Sequence, residues 1–407
     1  ALCAASILAS ACAELNDPVQ FVDGKEVSVA YAAKVVNSEE DADRTSLLLF
    51  LADEAASQMS QGMAIPALDE VCESVGVKSV ERLFVSNSDM ARSRGMHRWY
   101  LVSFDDQVNP FEMAELFSSL ACVDKVQYNT VVSRDYGSEG TPYSYAPKAY
   151  GEFALPYNDP LLPDQWHYVN NLDISVAETS RSGADINVKN AWKLCAGDPM
   201  VIVAVCDEGV KYNHPDLIDN MWVNEDEIPG NGIDDDNNGY VDDIHGWNFL
   251  STSDYPKTIS WSEDGDKGHG THVAGTVAAV NHNGIGVGGV AGGSGKGDGV
   301  KIMSCQVFSG NSSATVAARA KAYEYAANNG ACILQCSFGL SGGMVTSDGA
   351  FDMSYGVERA GLDYFFNYRQ PYSPVDKNFA IFASGNDGYH LAGYPAAHRD
   401  YIAVSAI

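Results

Sequence analysis

Short continuous apolar runs recur in the second half of the chain, at residues 201–206, 301–308, 332–338, 378–384 and 401–406. Between them, residues 271–280, 314–328 and roughly 352–368 carry the wider spacing of amphipathic helices. Strands apolar on both faces, separated by helices, predict a buried parallel sheet flanked by helices, an α/β fold.

The stretch from 45 to 132 has a different rhythm. Thr45 to Leu51 predicts a strand, although its apolar run also suits a helix. A helix is expected around Ala67 to Glu73, then strands near 79–85 and 99–104. The next helix is the best marked: Asn109 is placed to cap it, Pro110 fits the first turn, and Glu112 completes a capping-box pattern. Residues 126–132 close the series as a strand. The order β-α-β-β-α-β is that of a small ferredoxin-like α+β domain. The expected organisation is therefore 1–12 as the remnant of a signal, 13–44 as a polar linker and 45–133 as the small domain. A linker rich in Tyr, Pro, Gly and Ser follows at 134–165, then the α/β domain at 166–407.

Charge narrows the function. With 54 acidic against 25 basic residues the net charge is −29, which argues against nucleic-acid partners. Much of the acid is local, in Glu225-Asp226-Glu227, Asp234-Asp235-Asp236 and Asp242-Asp243, so part of it is expected to hold metal. Ala1 to Ala11 has the apolar character of a signal core, and Leu8-Ala9-Ser10-Ala11-Cys12 resembles a bacterial lipoprotein signal with Cys12 as the lipidated residue. Export follows, as a cell-envelope lipoprotein or otherwise as a secreted protein, with any membrane contact through the lipid alone. Of nine cysteines, Cys3 and Cys12 belong to that segment. The remaining seven form no even framework, and core packing suits them best.

Three motifs carry chemistry. Val201 to Cys206 leads into Asp207; His269-Gly270-Thr271-His272 follows 62 residues later; Ser384-Gly385-Asn386 comes third. An Asp at a strand end can orient an imidazole, and a His opening a Gly-flanked helix can act as a base. His272, three residues on, offers a competing two-His metal reading, but no third ligand accompanies it. Together the motifs resemble the subtilisin-like serine proteases (subtilases, peptidase S8), whose order is Asp, His, Ser and whose oxyanion hole uses a side-chain amide.

The resemblance implies catalytic roles for Asp207, His269 and Asn386. It also implies a substrate-binding edge at Ser337, Phe338 and Gly339, where a peptide adds as a strand. The 45–133 domain would be the propeptide, an intramolecular inhibitor and folding aid, and peptides or proteins would be the substrates. No Gly-Thr-Ser-x-x-x-Pro segment occurs in the 407 residues, so the serine is expected beyond this sequence. Glu208 departs from the family, which usually has Ser or Thr after the Asp; a carboxylate there would raise the His269 pKa or face solvent. In the long insertion before His269, Asp234, Asp236, Asn238, Tyr240 (through its carbonyl) and Asp242 follow the spacing of a calcium loop. His245 at the twelfth position makes it an incomplete EF-hand, with structural Ca2+ as the expected cofactor. Two functions stay open: a serine endopeptidase precursor, or a catalytically inactive, calcium-stabilised binding protein on the same fold.

Overall fold

The computed structural model describes residues 20–22, 25–132, 155–170, 181–250, 259–261, 268–310, 314–386 and 388–405. Cys12, the apolar run before it and most of 134–165 lie outside the described residues. Among the described residues no helix is long and apolar enough to cross a membrane. The chain divides into two compact units. One comprises Ala1–Val132, Thr315–Glu324 and Val345–Tyr364; the other comprises Ser133–Ala314, Tyr325–Met344 and Phe365–Ile407.

The first unit begins earlier than the expected linker boundary allows. Strands β1 (Gln20–Val22) and β2 (Lys25–Val27) pair antiparallel, and a helix follows at Val29–Lys34. Ser28 caps that helix by accepting from the Tyr31 amide at 3.1 Å. Within the expected 13–44 linker, residues 20–22, 25–27 and 29–34 thus form strands and a helix. Val27 and Tyr31 are buried in the core, and the Tyr31 hydroxyl meets that of Tyr128 at 2.9 Å. Ala32 and Val35 pack against the same core, so the apolar residues of 27–36 form a helix anchor.

Strands β3 (Ala42–Leu51), β4 (Ser79–Arg82), β5 (Trp99–Ser103) and β6 (Val123–Val132) form an antiparallel sheet in the order β6-β3-β5-β4. A two-residue strand, Ala314–Thr315, lies at the β6 edge. Alternate residues Leu47, Leu49 and Leu51 point to a core shared with Leu68, Met113 and Phe117 of the helices Pro66–Val75 and Pro110–Ser118. Asn109 caps the latter helix through the Phe111 amide at 3.0 Å, as its sequence anticipates.

Polar side chains on β6 meet helix starts. Asn129 accepts from the Ala317 amide at 3.1 Å and Gln127 from the Val357 amide at 3.3 Å. These amides belong to the helices Val316–Asn328 and Gly356–Asn367, whose first turns leave N–H groups without helical partners. The long helix expected at 352–368 is two, Asp348–Ser354 and Gly356–Asn367, broken at Tyr355. Arg319 and Glu358, both fully buried, pair at 2.9 Å, and Tyr323 donates to the same carboxylate at 3.1 Å.

The second unit holds six parallel strands in the order β13-β12-β11-β7-β9-β8. They are β7 (Ile202–Glu208), β8 (Gly246–Asn248), β9 (Lys301–Phe308), β11 (Ile333–Cys336), β12 (Phe379–Ala383) and β13 (Ile402–Val404), with Ala314–Thr315 counted as β10. Five were expected. The sixth, β8, has only three residues inside the acidic insertion, too few for a pattern. Ala274 and Ala278 of helix His269–Ala278 pack on Val203, Val205 and Ile302. Cys206, Cys305 and Cys336 sit in register on adjacent strands, all buried and free of disulfides, filling the core as small apolar groups.

Candidate active site

Register builds the site. Cys206 lies opposite Cys336, and Cys336 opposite Phe382, so Asp207, Ser337 and Ala383 come next at the carboxyl edge of three neighbouring strands. That edge is where open parallel sheets gather functional groups. Asp207 is fully buried near the end of β7, and its Oδ1 accepts from Nδ1 of His269 at 2.7 Å. The same oxygen accepts the Glu208 amide at 2.7 Å, which fixes the carboxylate to its own strand.

His269 opens its helix behind Gly268, whose φ of +71° lies in the left-handed region. Gly270 permits close docking: a Cβ there would fall 2.3 Å from the Glu208 carbonyl oxygen. Glu208 itself does not reach solvent. It is buried, and its Oε2 accepts the His269 backbone N–H at 3.0 Å, a negative charge on the positive end of the helix. The departure from the family pattern thus serves as a helix cap. His272 is exposed, and the imidazole it acts on is that of His167, held below its ordinary value by burial first and by His272 second.

Asn386 stands three residues past β12 in an exposed turn, after Gly385 with φ +111°. Ser337, Phe338 and Gly339 leave the end of β11. The Phe338 ring is buried between Phe308 and Phe382, at centroid distances of 5.4 and 6.2 Å. Ser337 and Gly339 stay partly exposed, so any peptide there would meet the backbone of this segment rather than the Phe338 ring.

The acidic insertion gathers a set that overlaps the expected calcium loop. One oxygen each of Glu227, Asp234 and Asp236 lie within 4.8 Å of one another. Three crowded carboxylates of hard oxygen donors can chelate a divalent cation. Asp234 and Asp236 both accept the Asn238 amide, at 3.0 and 2.9 Å, and Asn238 Oδ1 accepts the Tyr240 amide at 2.8 Å. Asp242 has another task. Its carboxylate accepts the amides of Gly230, Asn231 and Gly232 at 2.7, 3.2 and 3.0 Å, closing the 230–232 turn. Glu227 lies outside the spacing of the calcium-loop motif, which is why that motif does not name it. Next to this cluster, burial pushes Asp243 up to about 6, and the Tyr325 hydroxyl donates to it at 2.5 Å.

Comparison with known proteins places the chain. The subtilase family model (Peptidase_S8) matches residues 198–407. The chain belongs to the subtilase family. It is 34% identical over 209 residues to subtilisin-like protease 1 of Plasmodium falciparum, covering 51% of this chain and 25% of that protein. The match to a thermophilic serine proteinase of Bacillus sp. strain AK1 is 24% over 352 residues, covering 84% of this chain and 72% of that one. Against the Plasmodium relatives the alignments span a quarter or less of the relative's length. In fold, the chain resembles fervidolysin of Fervidobacterium pennivorans, a keratinolytic enzyme related to subtilisin. That superposition has a TM-score of 0.50 at 16% identity, over 91% of this chain and 44% of the other.

Proposed function

We propose that the protein is the precursor of a serine endopeptidase whose Asp207–His269 pair activates a serine hydroxyl. The observation that carries this reading is the 2.7 Å contact between His269 Nδ1 and Asp207 Oδ1 at the carboxyl edge of the parallel sheet. With Nδ1–H donated to the carboxylate, Nε2 keeps its lone pair for the serine proton. Asp207 then stabilises the imidazolium that forms. Asn386 donates its side-chain N–H to the tetrahedral oxyanion, and the backbone at Ser337 and Gly339 pairs with the substrate. The nucleophile of this reading is a serine in a Gly-Thr-Ser segment, a motif that these 407 residues do not contain.

Within the same reading, residues 45–133 are the ferredoxin-like propeptide and inhibit the enzyme in cis. Strand order supports this: numbered along the small domain, β6-β3-β5-β4 is 4-1-3-2, with the helices Asp53–Ser60 and Asp89–Ser93 added to the β-α-β-β-α-β plan. Ca2+ is held by Glu227, Asp234 and Asp236 with oxygens of Asn238 and Tyr240, and it offsets repulsion among the carboxylates. Asp242 shapes the loop from outside that set. Cys12 anchors the precursor through lipid.

The test uses the full-length gene product. It should hydrolyse peptides, and His269→Ala should abolish turnover while the fold persists by circular dichroism. Mass spectrometry should find a new N-terminus between Asp135 and Gln165. Undiminished turnover in His269→Ala would overturn the assignment of the base.

A further inference from the structure

Among the described residues, a cavity of about 510 Å³ opens between the acidic insertion and the segment that follows β7. Tyr212, Val241, Ile244, His245, Trp247 and Ile259 line it. Its volume falls in the range of roughly 300–1,000 Å³ typical of small-ligand sites. None of these residues belongs to the pair, the substrate edge or the carboxylate cluster described above.

The Asp242 carboxylate and Nδ1 of His245 in the lining are already committed. Asp242 accepts three backbone amides of the 230–232 turn, as given above. His245 Nδ1 meets the Trp222 carbonyl at 2.9 Å, and its ring stacks on Tyr212 at 4.8 Å. Trp261 meets Tyr212 edge-on at 4.9 Å. The walls left for a guest are therefore aromatic rings and branched aliphatic carbon. A charged or strongly polar guest would lose its hydration there and gain few new hydrogen bonds.

Position ties the cavity to the catalytic edge. Tyr212 is five residues past Asp207, which limits their separation to about 18 Å even in a fully extended chain. Its neighbour Lys211 donates its amide to Thr271 Oγ1 at 3.0 Å, two residues past His269. The opposite wall is held just as closely: a Cβ on Gly209 would fall 1.8 Å from the Ser260 carbonyl, so 259–260 packs directly on the end of β7. Both walls are thus fixed to segments that carry Asp207 and His269.

Resting on the protease reading above, we propose that this cavity is a substrate subsite for an aromatic or large aliphatic side chain within about five residues of the scissile bond. It would make an apolar anchor residue a determinant of which polypeptides are cut.

The experiment scans one Phe through an Ala/Ser/Gly peptide, across five positions on each side of the cleaved bond. Binding is measured by calorimetry with full-length protein in the His269→Ala background, and kcat/KM with the unmodified enzyme. One Phe position should bind at least tenfold more tightly than the Phe-free peptide. Val241→Lys and Tyr212→Ala should bring that ratio close to one. Val241 is 43% exposed, so the lysine is compatible with folding. Leu194→Lys, at a position 91% exposed and outside the cavity, should keep the ratio. A Phe preference that survives both cavity variants, or no Phe preference at any position, overturns the proposal. Phe-dependent binding that Val241→Lys removes, with no peptide ever cleaved, would uphold the cavity and defeat the protease reading instead.

Discussion

Arg319–Glu358 in the first unit and His269–Asp207 in the second each join a basic side chain to a carboxylate by a hydrogen bond of similar length, at 2.9 and 2.7 Å. Their surroundings separate them. The first pair is closed on both sides, with side chains 1% and 0% exposed. The second is closed only on the carboxylate side: Asp207 is 1% exposed and His269 36%. A pair sealed on both sides can serve only the packing around it. A pair with a buried carboxylate and an open imidazole holds its base in one orientation and still presents Nε2 to a reactant. In the proposed function, exposure of one partner, more than the length of the contact, is what suits the second pair to chemistry.

The largest effect that would break this comparison is on the open pair. In the full-length enzyme, Asp207→Asn should lower kcat by about 10⁴-fold, the loss known when a triad carboxylate no longer fixes the imidazole. Its melting temperature should change little by comparison. The closed pair should behave in the opposite sense. Glu358→Gln should destabilise the first unit by about 3–5 kcal/mol, because Arg319 is left buried without its counter-charge. Arg319→Met combined with Glu358→Leu should recover much of that loss in denaturant titrations. If Glu358→Gln proved harmless to stability, the contrast between the pairs would fail.

The sequence reveals these two regions unequally. Apolar runs mark five of the six parallel strands, most plainly β7 and β9, which are buried along almost their whole length; Asp207 and Asn386 stand near the ends of two of the strands, and His269 opens a helix. The first unit is less legible. Gln127 and Asn129 look like solvent-facing residues of an alternating strand, yet they are buried and cap helices that begin about 190–230 residues later in the chain. No local pattern encodes a partner that distant. Glu227 is hidden for a related reason, since it enters the carboxylate cluster from outside the motif whose spacing defines a calcium loop. Glu208 shows the limit of family comparison: its identity suggests a perturbing charge, and only its contact with the His269 amide reveals a helix cap.

A pH series sharpens the comparison further. Glu324 is buried and accepts the amides of Val85 and Ser86 at 3.0 and 2.7 Å. Burial, acting against those two bonds, pushes its carboxyl up from 4.5 to about 7. A folded-state value above the unfolded one means that the native unit binds the extra proton. Its stabilising effect is full below about pH 4.5 and is lost as pH rises through 7. The loss should amount to about 3 kcal/mol. Glu324→Gln should flatten this part of the stability–pH curve, and an unchanged slope would refute the assignment.

The smallest effect expected is that of calcium. A cation at about a hundredfold excess over Kd stabilises the folded state by about 2.7 kcal/mol. Millimolar Ca2+ should therefore raise the melting temperature, and chelation should expose residues 230–245 to proteolysis. Glu227→Gln with Asp236→Asn should remove most of the calcium response. Equal melting temperatures with calcium and with chelator would reduce the cluster to a solvated turn.

The central claim is that the open pair exists to activate a serine, and covalent labelling reads this directly. Full-length protein treated with a phosphonyl fluoride should gain one adduct, located by mass spectrometry on a serine in a Gly-Thr-Ser segment. The His269→Ala protein should label at a rate orders of magnitude lower. Absence of any adduct on the folded full-length protein, or equal labelling in His269→Ala, would contradict the account and leave an Asp–His pair with no nucleophile to serve.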